Sequence, residues 1–361
     1  MKECGFTCAG FVAPSQLDDV WAAGLRAYVR DPRGYQYNWD EFDAETARKN
    51  FKELAEETKD HPAVIGYYLC DEPSSSNFKG LAEMSAIVRE FAPGKIPYIN
   101  LFPNYVNKKV IQCNYHEYVE KFIESCRPPY LSYDFYGIFT DKHPATKKDP
   151  SYIRPGMWEN LALFRELSLK HNIPFWVINL ATSHWGFRVP TPADLSFQAY
   201  SALAYGARGL GHFTYITPAL SDFYIGPVAV DNSKNPVWYD VAALNKQLLA
   251  LGPLVEQLKS TAVYHFPANQ AGQEKPTDES LIAEISGGRF VVGDFTVPAD
   301  GRRYAMIVNC DLVNTVSPTI TFRDDMKKVK TVSLENPNEL QAYRQNTRLG
   351  AGRVMLLKIE N

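Results

Sequence analysis

From residue 5 to residue 251 the chain alternates short apolar runs with stretches of helical periodicity, and few folds accommodate that rhythm. The runs are Gly5–Val12, Gly24–Val29, Ala63–Cys70, Ile96–Leu101, Tyr130–Tyr136, Pro174–Leu180 and Gly209–Tyr215. The helical stretches that follow them are Gln16–Ala23, Phe42–Lys59, Asn77–Phe91, Tyr115–Cys126, Gly156–His171, Pro192–Tyr205 and Val237–Leu251. Within Phe42–Lys59 the apolar residues Ala47, Phe51, Leu54 and Ala55 stand at i, i+4, i+7 and i+8, on one helical face. Run and helix recur at about 30-residue spacing, the length of a strand–helix–strand unit, which predicts a parallel sheet. Most runs are continuously apolar, as expected for strands buried on both faces.

Two parallel architectures compete. A doubly wound sheet that binds a dinucleotide carries a glycine-rich loop after its first strand, and none follows Val12. Polar and aromatic residues gather instead at the C-terminal ends of the runs: Arg30-Asp31, Asp71-Glu72, Asn104-Tyr105, Asp134, His184-Trp185 and Thr214-Tyr215. In a TIM (β/α)8-type barrel such ends converge on one mouth. The expected fold is an α/β barrel of this type over residues 1–255.

Beyond Leu251 the character changes. Gly252-Pro253 is expected to stop the last helix, and Ala268–Ser280 reads as a polar loop. Short strands follow at Leu281–Ile285, Arg289–Asp294, Tyr304–Asn309, Thr319–Phe322, Thr331–Leu334 and Arg353–Ile359, with turns at Gly287-Gly288 and Ala299-Asp300-Gly301. Residues 256–361 therefore read as a small antiparallel β-sandwich, a structural or interface module. A length of 361 residues suits one large and one small domain.

Composition narrows the function. The net charge of −3, without a run of like charges, offers no footprint for nucleic acid or a membrane surface. No segment is long and apolar enough to span a membrane. Cys4, Cys8, Cys70, Cys113, Cys126 and Cys310 form no C-x-x-C pair and read as reduced thiols. His61, His116, His143, His171, His184, His212 and His265 are scattered, with no metal-ligand spacing. No G-x-S-x-G elbow and no P-loop is present, so neither a metal nor another cofactor is expected. The aromatic content of 13% (20 Phe, 21 Tyr, 6 Trp) fits a large core or a cleft that stacks sugar rings.

His61-Pro62-Ala63-Val64-Ile65-Gly66-Tyr67-Tyr68, running into Asp71-Glu72-Pro73, resembles the fourth barrel strand of the large clan of retaining TIM-barrel glycosidases. Gln198–Tyr215 resembles the last helix and eighth strand of family 42 β-galactosidase-like members. The resemblance implies that Glu72 is the general acid/base. It departs from the clan at two places. Asp71 stands where the clan has Asn, and Phe175–Trp185, which matches the strand that carries the clan's nucleophilic Glu, contains no carboxylate. By the same count Gly24–Val29 is the third strand and Gly5–Val12 the second. The expectation is a chain that begins after the first strand, or one with an irregular element in its place. Met1-Lys2-Glu3-Cys4-Gly5 reads as the end of a helix leading into a strand, without a signal-peptide pattern.

Cleavage of a glycosidic bond needs an acid for the leaving oxygen and a second carboxylate acting at the sugar carbon or on water. Glu72 is the candidate acid. By strand alternation it shares a face with Gly66, Tyr68 and Cys70, and the bland alternative is a surface Glu ahead of the next helix. Asp134 is the candidate second carboxylate, with a structural loop cap as the alternative; Asp71 and Asp222 stand behind it. Substrate-binding candidates are Asp71, Arg30, Asp31, Asn104, Tyr105, Tyr136, His184, Trp185, His212 and Tyr215, each of which alone also fits a core or rim role. The expected function is hydrolysis of a β-linked glycoside, with a carbohydrate as the expected partner and a homo-oligomer left open. The rival readings are a vestigial carbohydrate-binding barrel and a barrel lyase or isomerase.

Overall fold

The computed structural model describes residues 1–323 and 328–360. They divide into two compact units: Met1–Asp134 with Leu167–Pro174, and the remaining described residues.

In the first unit β1 (Cys8–Val12), β2 (Arg26–Val29), β3 (Val64–Asp71) and β4 (Ile96–Asn100) form a parallel sheet in chain order. β5 (Leu131–Asp134) follows beside β4, where the Leu101 N–H donates to the Ser132 carbonyl at 2.8 Å. Helices Leu17–Ala22, Ala44–Thr58, Phe78–Phe91 and Tyr115–Cys126 connect the strands. The apolar face read for residues 42–59 is the buried one, with Ala47, Phe51, Leu54 and Ala55 each at most 1% exposed. Asp43 opens that helix by accepting from the Glu45 and Thr46 N–H groups at 3.1 and 3.2 Å. Asn114 caps Tyr115–Cys126 in the same way, accepting from the Glu117 N–H at 2.8 Å. At Gly66 a Cβ would lie 2.3 Å from the Ile96 carbonyl oxygen, so the approach of β3 to β4 requires glycine. Lys2–Cys4 is a short 3-10 turn that Gly5 ends at φ 83.

The second unit joins a parallel strand pair to antiparallel sheets. β6 (Phe175–Leu180) and β7 (Gly209–Phe213) pair in parallel, with helix Pro192–Ala204 between them. Helix Pro236–Gln257 leads to β8 (Lys259–Phe266), β9 (Ile282–Ser286), β10 (Phe290–Thr296), β11 (Arg303–Asn309), β12 (Thr319–Phe322), β13 (Lys328–Val332), β14 (Leu340–Ala342) and β15 (Val354–Glu360). The order β14-β13-β15-β11-β10-β8 makes one antiparallel sheet, and β12-β9 makes a second. Tyr264, Ile282, Ile285, Phe290, Ile307, Ile320 and Leu357 share one apolar cluster, so the two sheets close on a common core.

Two readings of this region are corrected. The last helix does not stop at Gly252-Pro253; Pro253 lies inside it. A proline removes one N–H, and buried Leu251 and Leu254 carry the helix past it. β8 then starts without an intervening turn residue, and β14 is exposed throughout; the sequence reading missed both strands.

Helix Pro192–Ala204 is buried along its length from Asp194 to Ala204. Its entry is fixed by Thr191, which accepts from the Asp194 N–H at 3.2 Å, and by Arg188, which donates to the buried Asp194 carboxylate at 2.9 Å. Gln198 pins the helix to the end of β6, accepting from the Leu180 N–H at 2.9 Å and donating to the Leu180 carbonyl at 3.2 Å. The antiparallel sheet approaches closely: a Cβ on Gly293 of β10 would lie 2.1 Å from the Ala204 carbonyl oxygen. Gly293→Ala therefore forces backbone apart from backbone and is expected to lower stability by about 1–3 kcal/mol. Gly10→Ala, where a Cβ meets nothing within 4 Å, is expected to be near neutral. Thermal unfolding of both variants checks the contrast.

Candidate active site

β3 delivers Asp71 as its last residue, and the chain then turns sharply. Glu72 has φ 49, a left-handed conformation uncommon for a residue with a side chain. Bonds on both sides hold the turn. The Glu72 N–H donates to the Asn100 carbonyl at 2.8 Å, and the Tyr118 hydroxyl donates to the Pro73 carbonyl at 2.7 Å. The reading that put Glu72 on a face with Gly66, Tyr68 and Cys70 is corrected here. The pairing of β3 with β4 shifts register between Tyr68 and Cys70, and Glu72 lies past the strand end. The left-handed turn, not the pleat, aims its side chain.

Asn100 organises the carboxylates. It ends β4 opposite Asp71 and is 3% exposed. Its Nδ2 donates to Asp71 Oδ1 at 3.1 Å and to Asp134 Oδ1 at 2.8 Å. Its Oδ1 accepts from Ser132 Oγ at 2.8 Å, and the Tyr98 hydroxyl lies 3.1 Å from that same Oγ. Strands β3, β4 and β5 thus each contribute to one polar network. Sequence reasoning missed Asn100, Ser132 and Tyr98. The signal available is that Asn100 and Ser132 interrupt runs otherwise buried on both faces, where a polar side chain requires a partner.

The electrostatics follow from that geometry. Burial pushes the Glu72 carboxyl up to about 8, assisted by the charge of Asp134 and then that of Asp71. Asp134 acts on Glu72 more strongly than Asp71, its neighbour in sequence. Burial also raises Asp134, to about 7, with Asp71 adding to the rise and the Asn100 bond opposing it. Asp71 is raised by its dense surroundings and lowered by Asn100, although part of its surface stays open to water. Three acidic groups therefore cluster around a neutral amide, and Glu72 is the one that keeps its proton to the highest pH.

Each unit holds some of the other predicted residues. In the first unit Arg30 lies over the rings of Tyr35 and Tyr68, at 4.6 and 5.5 Å. Asp31 caps helix Pro32–Tyr35, and Arg33 grips its carboxylate at 2.8 Å and holds it below the ordinary carboxylate range. Asn104 and exposed Tyr105 sit in the loop after β4.

In the second unit the His184 ring is fully buried among Tyr136, Trp185, Phe187, Phe213 and Phe223. Its Nδ1 donates to the Thr182 carbonyl at 2.7 Å, and burial lowers its basicity. Trp185 is 66% exposed at φ 48, anchored by its N–H to the Asp222 carbonyl at 3.0 Å. His212 of β7 stands opposite Asn179, with burial pushing it down to about 4. The Tyr215 hydroxyl accepts from Trp238 Nε1 at 3.1 Å. Among the described residues no group of three or more His, Cys, Asp or Glu is placed to hold a metal ion.

No protein-family model and no curated protein matches the chain. Solved structures do match it. A β-galactosidase from the psychrophilic Marinomonas ef1 aligns at TM-score 0.52 and 12% identity, over 71% of this chain and 57% of its own. A glycoside hydrolase of family 5 from Bacteroides vulgatus aligns at TM-score 0.55 and 13% identity, over 95% of this chain and 72% of its own. A further glycoside hydrolase aligns at TM-score 0.54 and 14% identity, over 95% and 75%. The chain thus spans little more than half the length of the Marinomonas enzyme. At these identities the likeness is one of fold: a mixed α/β chain with parallel strands and an added antiparallel sheet, of the kind found in glycoside hydrolases.

Proposed function

We propose that this chain is a glycoside hydrolase that cleaves a β-linked glycosidic bond on a TIM-type barrel scaffold resembling family 42. Glu72 is the acid and Asp134 the second carboxylate. Residues 1–255 form the catalytic part and residues 256–361 the sandwich. The observation that carries the reading is geometric: the ends of β3, β4 and β5 bring Glu72 and Asp134 to one polar network around Asn100, where burial raises both carboxyls. Glu72 gives its proton to the leaving oxygen as the bond to the anomeric carbon breaks. Asp134 acts at that carbon, directly or through a water that it deprotonates. Asp71, Arg30, Asp31, Asn104, Tyr105, Tyr136, Trp185, His212 and Tyr215 are the proposed sugar contacts, and His184, whose ring is fully buried, backs the exposed Trp185. Trp185 offers an exposed ring for stacking.

A second reading, a carbohydrate-binding barrel without hydrolysis, is favoured by one observation: Phe175–Trp185 carries no carboxylate.

Glu72→Gln is expected to cut turnover of a β-linked disaccharide by about 10²–10⁴-fold. A nitrophenyl glycoside, whose leaving group needs little protonation, should suffer less. Equal turnover of the disaccharide by variant and parent removes Glu72 as the acid. The same variant has a stability signature. In the unfolded chain Glu72 loses its proton near its ordinary value of 4.5, and in the folded chain near 8. Rising pH between those values favours unfolding. Glu72→Gln should therefore raise the melting temperature at pH 8–9 and leave it unchanged near pH 4.

For kcat/KM the expectation is a bell that rises as Asp134 ionises near 7 and falls as Glu72 deprotonates near 8. A flat profile across that range contradicts the assignment. Trp185→Ala should leave the melting temperature unchanged and raise KM by up to about tenfold, the scale of one lost aromatic contact.

A further inference from the structure

We infer that Asn100 is a positioning residue: its single amide holds Asp71 and Asp134 together without cancelling their charge, and so keeps the acid and base roles apart. The inference rests on the proposed glycosidase reading and names the device that sets that site.

The orientation of the amide follows from its neighbours. An ionised carboxylate only accepts, so the Asn100 nitrogen must face Asp71 and Asp134, at 3.1 and 2.8 Å. The Asn100 oxygen then accepts from Ser132 Oγ at 2.8 Å. Ser132 has one proton to give, so at 3.1 Å the Tyr98 hydroxyl donates to it. A relay of donors thus runs from Tyr98 through Ser132 to Asn100 and ends on two carboxylates of different strands.

The residue type matters as much as the geometry. A Lys or Arg at position 100 would stabilise the same carboxylates but neutralise them, and Glu72 would lose the like charges that help keep it protonated. An apolar residue would remove the side-chain donor that Asp71 and Asp134 share, leaving Asp134 its backbone N–H and Asp71 open to water, raise both carboxyls and relieve Glu72 in the same way. A neutral donor lets Asp134 ionise while its charge still acts on Glu72.

The ionisable groups facing the cluster are Tyr68 and Cys70 on β3, Tyr98 on β4 and Tyr118 on helix Tyr115–Cys126. Burial raises all four, so at neutral pH the titrating members are the carboxyls. The backbone bond from the Glu72 N–H to the Asn100 carbonyl survives any change of the side chain.

The test is Asn100→Leu in the full chain, read by the pH dependence of kcat/KM and, separately, by infrared titration of protonated carboxyl groups. The expected bell collapses: its acid limb moves up and its alkaline limb down until the two meet or cross, so that peak kcat/KM falls by at least about tenfold, the scale of a lost charge-assisted hydrogen bond. Asn100→Ser, which keeps one donor, should narrow it less, and it serves if the leucine variant does not fold. A uniform loss of rate with both limbs at their parental positions, or unchanged infrared titrations, overturns the inference. If the parent cleaves no glycoside the function reading fails instead, and the infrared titration alone decides the role of Asn100.

Discussion

Like charges shielded from water repel one another, and folding buries Asp134, half-buries Glu72 and sets the more open Asp71 beside them, so that all three carboxyls are raised. Such an arrangement costs stability and survives only if a rigid frame enforces it. The frame here is the parallel sheet of the first unit. Asp71 and Asn100 face one another across β3 and β4, and β5 brings Asp134 to the other amide hydrogen. Glu72 is added by a left-handed turn that backbone bonds to Asn100 and Tyr118 secure. Moving any one of these strand ends would break the network rather than stretch it.

The second unit spends its packing differently. Its central helix, Pro192–Ala204, is rich in small residues, and Gly293 of β10 and Gly352 in the turn before β15 meet its backbone. In both units aromatic residues serve mainly as core: Phe51, Tyr67, Tyr118, Phe122 and Tyr133 in the first and Phe197 and Tyr200 in the second are fully buried. Among the described residues Phe11, Trp21, Tyr105, Trp185, Tyr224 and Tyr239 are the exposed minority. The aromatic composition is therefore chiefly a packing signal, and only a few rings are open for ligand stacking.

The strand–helix order was legible because each element announces itself by periodicity and punctuation. Helix Tyr115–Cys126 stands with both ends as read, since Asn114 caps it and Arg127 leaves it in a left-handed conformation. Glu72 was legible because Asp-Glu-Pro follows a long apolar run. Its orientation was not, because the register shift beyond Tyr68 and the turn at Glu72 are tertiary features. Asn100 was hidden inside Ile96–Leu101, where hydrophobicity alone reads as core. Asp31 reads as a site residue by its place at a strand end, and it also caps its helix and pairs with Arg33. His184 and His212 read as hydroxyl-bonding residues by type and place, and burial lowers the basicity of both.

The central claim is that Glu72 and Asp134 cleave a β-linked glycoside. Proton NMR of the purified chain with a panel of β-linked disaccharides at pH 7–8 tests it most directly. Release of a reducing sugar from at least one member is expected, with the first-formed anomer reporting whether Asp134 attacks the sugar or activates a water. Saccharides that bind, by a rise in melting temperature, but are never cleaved by the parent chain would contradict it.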